Sequence, residues 1–201
     1  DGPLLLLPGS RTAAVRRIFP AMLAAVRRAD EALGTREVRV LYPGPRIRES
    51  LEEILSATEL PREPVLRPVS DGSEGAAVLA SSGTMSLQCA LAGIPGAIVY
   101  RAHPLTYAVG RAFVRIPYLG IANLLLDRPF YPEFIQGAAA PGKLAEEIGT
   151  LLSPEAAEAA SEGAAELRAL LSTNRFLDPA AWVATHLDPP APGEPVEALA
   201  P

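Results

Sequence analysis

The stretch Ala77–Gln88, AVLASSGTMSLQ, constrains the fold more than any other part of the sequence. Its first four residues are apolar and partly β-branched, which is typical of a buried parallel strand. Small hydroxyl residues and a glycine follow, and a run of helix formers then starts at Met85. A strand, a tight turn and a helix leave unpaired backbone N–H groups at the helix start, where an anion such as a phosphate binds well. An ordinary Ser/Thr helix cap explains the same stretch, so both interpretations stay open here.

Apolar runs and amphipathic helices alternate over most of the chain. Such an alternation produces parallel βαβ units, so we predict an α/β fold with a doubly wound, mostly parallel, Rossmann-like sheet and C-terminal helices. Prolines around the third strand indicate a sheet edge, and Pro20 is expected to kink or split the first helix. The predicted strands are Leu4–Leu7, Val38–Tyr42, Val65–Val69, Ala77–Ala80 and Gly96–Tyr100. The predicted helices are Thr12–Leu33, Ile47–Ala57, Met85–Leu91, Thr106–Val114, Pro141–Leu152, Pro154–Leu171 and Asp178–His186.

The loops after the first, fourth and fifth strands form the predicted site, because ligands of doubly wound sheets bind at the carboxyl ends of strands. Arg11 follows a Pro-Gly-Ser turn in the first of these loops. Its guanidinium there suits bidentate pairing with a phosphate, and Ser10 adds a donor. The alternative is a surface arginine, although the dipole at a helix N-terminus disfavours a cation.

Charge and motif content argue against several classes of function. The net charge of −5 gives no reason to expect a nucleic-acid surface, so we predict no nucleic-acid partner. The chain has no zinc, Walker or nucleophile-elbow motif, and we predict neither a metal nor a cofactor. Its one cysteine, Cys89, follows the organising turn in an apolar helix, which favours a buried residue in a reducing compartment over a nucleophile.

Four stretches in order resemble the lipid-A-disaccharide synthase family. They are LPGSR at Leu7–Arg11, SSGTMSLQ at Ser81–Gln88, VYR at Val99–Arg101, and Asn123 followed by PEFIQ at Pro132–Gln136. The resemblance covers only the C-terminal half of the family and implies the C-terminal domain of a two-domain, GT-B glycosyltransferase. The chain begins Asp-Gly-Pro without an initiator Met, so we expect a fragment of a longer protein.

The resemblance also implies which residues bind a UDP-sugar donor. They are Gly9, Ser10, Arg11, Ser82, Gly83, Thr84, Gln88, Arg101, Asn123 and Gln136. Pro132-Glu133 is expected to form the first turn of a short helix whose N-terminus faces the diphosphate. His103 fits a surface residue better than a proton donor. No catalytic residue is assigned here, because the family's general base belongs to the other half.

The chain departs from the family pattern at three places. Gln88 replaces a Glu that accepts hydrogen bonds from ribose hydroxyls in related enzymes, and an amide has less acceptor capacity than a carboxylate. Ala14 replaces a Glu that usually follows the GSR motif. The segment 73–76 is too short for a helix found in the family before this strand. The departures at Gln88 and Ala14 imply weaker donor binding, a shifted specificity or a diverged member, whereas the short segment bears on one helix and not on the site.

The activity that the resemblance implies is an inverting transfer of diacylglucosamine from UDP to a lipid monosaccharide phosphate. The donor is UDP-diacylglucosamine, and the acceptor is bound through an N-terminal domain outside this chain. The full-length protein is expected in the cytoplasm, peripheral to the inner membrane, and the fragment alone is expected to be inactive. Two alternatives stay open, a degenerate nucleotide-sugar-binding module without turnover and a domain like that of a UDP-sugar epimerase.

Two segments divide the chain by composition. Residues 1–187 are expected to form one nucleotide-sugar-binding domain. Residues 188–201 contain five prolines and few apolar side chains, so we predict a disordered tail.

Overall fold

A six-stranded parallel sheet organises the part of the chain that the computed structural model describes, residues 2–103, 107 and 117–172. Its strands are β1 (Leu4–Leu7), β2 (Val38–Tyr42), β3 (Val65–Pro68), β4 (Ala77–Ala80), β5 (Gly96–Tyr100) and β6 (Glu133–Ile135). Their order is β3-β2-β1-β4-β5-β6, and each neighbouring pair is parallel. Two compact units divide the chain, Asp1–Ala169 and Leu170–Pro201, and all six strands lie in the first.

Seven α-helices lie among the described residues. They are α1 (Thr12–Arg28), α2 (Asp30–Leu33), α3 (Pro45–Ser56), α4 (Thr84–Leu91), α5 (Ile121–Leu126), α6 (Pro141–Leu151) and α7 (Pro154–Ser172). Two 3₁₀ turns complete the set, Val69–Asp71 and Gln136–Ala139. Ser153 caps α7, because its Oγ accepts a hydrogen bond from the backbone N–H of Ala156 at 3.2 Å.

Both faces of the sheet are covered, which confirms the doubly wound fold. Leu4 and Leu6 of β1 pack into one core cluster with residues of α1, α3 and α6. Leu5 and Leu7 point to the opposite face and join a second cluster with residues of α4, α5 and α7. A strand buried on both faces has no polar alternation, which explains the run of four leucines.

The first predicted helix is interrupted at Ala29 and not at Pro20. Helix α1 continues through Pro20, which lies on its exposed side, where water can reach the backbone carbonyl that the missing N–H leaves unpaired. The break separates α1 from the short helix α2, which Arg62 holds in place. The Arg62 guanidinium contacts the Asp30 carboxylate at 2.6 Å and the backbone oxygen of Gly34 at 2.8 Å.

The segment Pro132–Glu133 does not begin a helix, and this prediction is wrong. Glu133–Ile135 forms strand β6, which pairs with β5 so that Phe134 lies opposite Val99. A proline followed by a glutamate resembles a helix start, but the free edge of β5 offers a full set of backbone hydrogen bonds to an extended segment. The 3₁₀ turn begins only at Gln136.

Three predicted segments lie outside the described residues. They are the helix Thr106–Val114, of which only Tyr107 is described, the helix Asp178–His186 and the tail 188–201. Within the described residues, no helix combines the length and the apolar character that a membrane crossing requires.

For two glycines in helices, we predict that substitution by alanine changes the free energy of unfolding in opposite directions. In α7, a Cβ on Gly163 would lie 2.1 Å from a ring carbon of Phe130, whose ring is stacked on Tyr131. Gly163→Ala should therefore destabilise the protein by about 1–3 kcal/mol despite the better helix propensity of alanine. In α6, a Cβ on Gly149 meets only Ala32 at 3.9 Å, so Gly149→Ala should stabilise by about 0.5–1 kcal/mol. Urea unfolding of both variants measures these changes, and equal signs would contradict the packing described.

Candidate functional site

The loops that follow β1 and β4 meet at the carboxyl edge of the sheet. The backbone N–H of Ser81 donates to the oxygen of Leu7 at 2.8 Å. Gly9 has a φ of +116°, and a Cβ there would lie 3.0 Å from Ser81 Oγ. Only glycine tolerates this conformation readily, so the close approach of the two loops explains the residue. The strand order reverses between β1 and β4, which is where doubly wound sheets bind their ligands.

A cleft of about 300 Å³ opens on one side of this contact, and we call it the cationic cleft. Three arginines, Arg11, Arg17 and Arg101, line it together with His103. No carboxylate is among its lining residues in the described part of the chain. A concave surface lined by one sign of charge concentrates the electrostatic field, so this cleft suits an anionic ligand.

A second pocket, of about 320 Å³, opens beside it, and we call it the neutral pocket. Its described lining contains apolar side chains such as Leu41, Val69 and Met85, the hydroxyl of Thr84 and no charged residue. The two cavities share four residues at the loop contact, Gly9, Ser10, Ser81 and Ser82. A ligand with a neutral part and an anionic part could therefore occupy both cavities and cross the shared loops.

The start of helix α4 faces this junction. Gly83 is its N-cap, and no side chain caps it in the described structure. The nearby hydroxyls are engaged elsewhere, since Ser82 Oγ donates to the backbone oxygen of Leu119 at 2.6 Å and Ser86 Oγ donates to that of Gly83 at 2.6 Å. The first N–H groups of α4 are thus left to a ligand or to water.

Arg101 lines the cationic cleft, and a hydrogen bond to a backbone carbonyl fixes its side chain there. One Nη donates to the oxygen of Ala139 at 2.7 Å. Its Nε is buried and has no hydrogen-bond partner in the described structure. The guanidinium is therefore anchored at one end and retains unsatisfied donor capacity.

Gln136 lines neither cavity. Its Oε1 accepts from the N–H of Ala102 at 2.9 Å, and its Nε2 donates to the oxygen of the same residue at 3.3 Å. Gln136 also has a φ of +52°, a left-handed conformation that is uncommon outside glycine. The amide thus clamps the backbone directly after Arg101.

Asn123 is fully buried on α5 and also lies outside both cavities. Its Nδ2 donates to the oxygen of Tyr131 at 2.7 Å and to Glu133 Oε1 at 2.9 Å. Its Oδ1 accepts from the N–H of Tyr131 at 2.7 Å. Both ends of the amide are therefore occupied within the protein.

Glu133 completes this network, and sequence reasoning missed its role. Its carboxylate accepts from the N–H groups of Leu119 and Gly120 at 2.8–2.9 Å, besides Asn123. The loop fixed in this way presents the Leu119 oxygen to Ser82. Two of its partners are backbone N–H groups, which every residue except proline has, so the sequence does not reveal them. The closeness of Asn123 in the sequence was the one indication of the contact.

The other predicted residues occupy different surroundings. Gln88 is exposed on α4, one turn after Thr84, and lines neither cavity. Ala14 forms part of the wall of the cationic cleft. Cys89 is buried as predicted, and burial raises the pKa of its thiol to about 11, which keeps it protonated at neutral pH.

The fold and the site define a class of protein, a Rossmann-like α/β domain with a ligand cleft at the point where the strand order reverses. Residues 1–177 match the family described as lipid-A-disaccharide synthetase. The chain belongs to this family.

Several relatives named lipid-A-disaccharide synthase are similar to the chain. The one from Myxococcus xanthus is 36% identical over 198 residues, which are 94% of this chain and 50% of the relative. The one from Rhodospirillum centenum is 34% identical over 171 residues, 82% of this chain and 42% of the relative. The one from Sodalis glossinidius is 36% identical over 162 residues, which are 78% of this chain and 42% of the relative. The chain therefore spans about half the length of these relatives or somewhat less.

The network around Glu133 predicts a graded loss of stability. Glu133→Ala leaves three donors without their acceptor and should lower the free energy of unfolding by about 2 kcal/mol. Glu133→Gln keeps one oxygen in the position that accepts from three donors, and it should recover more than half of this loss. Urea unfolding of the two variants measures the difference. Equal losses would show that the negative charge stabilises the loop and that the acceptor positions do not.

Proposed function

We propose that this chain is the donor-binding part of a glycosyltransferase that acts as lipid-A-disaccharide synthase. The observation that carries the proposal is the pair of cavities, one neutral and one cationic, that meet at the shared loops. A nucleoside diphosphate sugar has the same division, because its base and ribose are neutral and its diphosphate is anionic. Family membership supports the same conclusion.

The nucleoside is proposed to occupy the neutral pocket. Apolar side chains at its wall, among them Val69 and Met85, can pack against the faces of a base. Thr84 offers a hydroxyl that both donates and accepts hydrogen bonds. Gln88, one helical turn further along α4, is proposed to reach the ribose hydroxyls from the exposed side.

The diphosphate is proposed to cross the shared loops into the cationic cleft. Arg11 and Arg101 supply charge-assisted hydrogen bonds there, and Gly9, Ser10 and the start of α4 supply backbone donors. Negative charge builds up on the diphosphate as the bond to the sugar breaks. Fixed positive groups at this place stabilise the leaving UDP in the transition state without having to reorganise.

Asn123 and Gln136 are proposed to act on the donor through other residues. Gln136 fixes the backbone that follows Arg101, and Asn123 holds Glu133 and thereby the loop behind Ser82. Both are then positioning residues, because their amides already have partners within the protein. A ligand contact by either amide would require these hydrogen bonds to open first.

The whole reaction is proposed to be an inverting transfer of diacylglucosamine from UDP to a lipid monosaccharide phosphate. The acceptor site and the general base would lie in the part of the enzyme that this chain does not span. The full-length protein is proposed to work in the cytoplasm, peripheral to the inner membrane, where both lipid substrates are accessible. A nucleotide-sugar-binding module without turnover would use the same two cavities.

Calorimetric titration with UDP and uridine tests the donor site. Arg11→Ala should weaken UDP binding about ten-fold, because a charge-assisted phosphate contact contributes about 1.5 kcal/mol at an exposed side chain. Uridine has no phosphate, so its affinity should change less than two-fold. Arg27→Ala, an exposed arginine at the far end of α1, is the matched control. Equal losses for UDP and uridine would place Arg11 away from the phosphates, and no UDP binding by the unmodified chain would refute the proposed function.

Gln88 provides a second test, aimed at the ribose. Gln88→Glu should tighten UDP about five-fold, because a charged acceptor contributes roughly 1 kcal/mol more than a neutral one. The same substitution should leave 2′,3′-dideoxy-UDP unchanged, since that ligand lacks both hydroxyls. If the two ligands respond alike in calorimetry, Gln88 does not contact the ribose.

A further inference from the structure

We infer that Arg17 is a third phosphate-binding residue, which contacts the second phosphate of the ligand and so distinguishes a diphosphate from a monophosphate. The inference rests on the proposed function, in which the diphosphate enters the cationic cleft. Arg17 stands outside the LPGSR and SSGTMSLQ stretches, and nothing in its helix pattern sets it apart from its neighbour Arg16.

These two neighbouring arginines have different surroundings. Arg16 forms an ion pair with Glu53 of α3 at 2.6 Å, which directs it along the outer surface of α1. Arg17 lines the cationic cleft, and its side chain has no hydrogen bond or ion pair with any described residue. Its guanidinium therefore has all five N–H donors available to a ligand or to water.

The charge balance of the cationic cleft favours an anionic ligand. Arg11, Arg17 and Arg101 surround a volume of about 300 Å³, and the described lining contributes no carboxylate. Three like charges at one cavity repel one another, and this repulsion is relieved when an anion binds among them. A diphosphate brings more negative charge than a monophosphate, so the third arginine matters more for the diphosphate.

The position of Arg17 along the ligand follows from which residues line each cavity. The loop residues Gly9 and Ser10 line both cavities, so the phosphate next to the nucleoside lies at this junction. Arg11, Arg17 and Arg101 line only the cationic cleft and not the neutral pocket. A ligand that starts in the neutral pocket thus reaches Arg17 with its second phosphate.

Arg17→Met tests the inference, with Arg27→Met as the matched control at the far end of the same helix. Both arginines are exposed and unpaired in the described structure, and methionine keeps the helix propensity and much of the aliphatic stem. Calorimetric titrations of the 201-residue chain with UDP, UMP and inorganic pyrophosphate provide the readout. Arg17→Met should weaken UDP and pyrophosphate about five-fold each and change UMP less than two-fold. Arg27→Met should change none of the three.

Different failures have different meanings. Equal weakening of UDP and UMP by Arg17→Met, or no weakening of either, would overturn the inference and leave the donor site intact. If the unmodified chain binds pyrophosphate but not UDP, the proposed function fails. In that case the role of Arg17 in phosphate binding is tested by pyrophosphate. A loss of pyrophosphate affinity in Arg17→Met but not in Arg27→Met would support this role, and an unchanged affinity in Arg17→Met would overturn it.

Discussion

Parallel pairing of β1 with β4 brings together two loops that are far apart in the sequence. The hydrogen bond from Ser81 to Leu7 and the close approach of Gly9 fix the distance between these loops. Because the loops are the common wall of both cavities, their separation sets the width of the junction that a ligand must cross. The register of this pairing places Leu7 opposite Ala80, so both loops leave the sheet at the same level.

The rigidity of the site comes from residues behind it. Strand β6 lies at the sheet edge, yet Glu133 and Gln136 near its ends fix the two loops on the β5 side of the cavities. One of these loops contains the oxygen that receives Ser82 Oγ, and the other carries Arg101. The positions of the groups proposed to contact the ligand thus depend on hydrogen bonds that Glu133 and Gln136 form outside the two cavities. Such support is what holds a binding group in one geometry before the ligand arrives.

The sequence predicted five of the six strands, β1 to β5, because runs such as Leu4–Leu7 and Ala77–Ala80 are apolar without alternation. It also predicted that the loops after Leu7, Ala80 and Tyr100 meet, since this follows from parallel strands. It could not predict β6, because pairing with the free edge of β5 overrides the helix-like start at Pro132.

The side-chain roles were harder to predict than the strands. Asn123 and Gln136 are residue types that suit ligand binding, and only the structure shows that their amides are already engaged. Arg16 and Arg17 cannot be distinguished from the sequence. The structure distinguishes them, because Arg16 forms an ion pair with Glu53.

A crystal structure of the chain with UDP would show directly whether the two cavities form one site for a nucleoside diphosphate. We predict the uracil against Val69 and Met85, the first phosphate at Ser10, and the second phosphate within hydrogen-bond distance of Arg17. A nucleotide bound in the reverse direction, with its base among the arginines, would show that the proposed binding mode is wrong. So would a nucleotide bound at any place outside the two cavities.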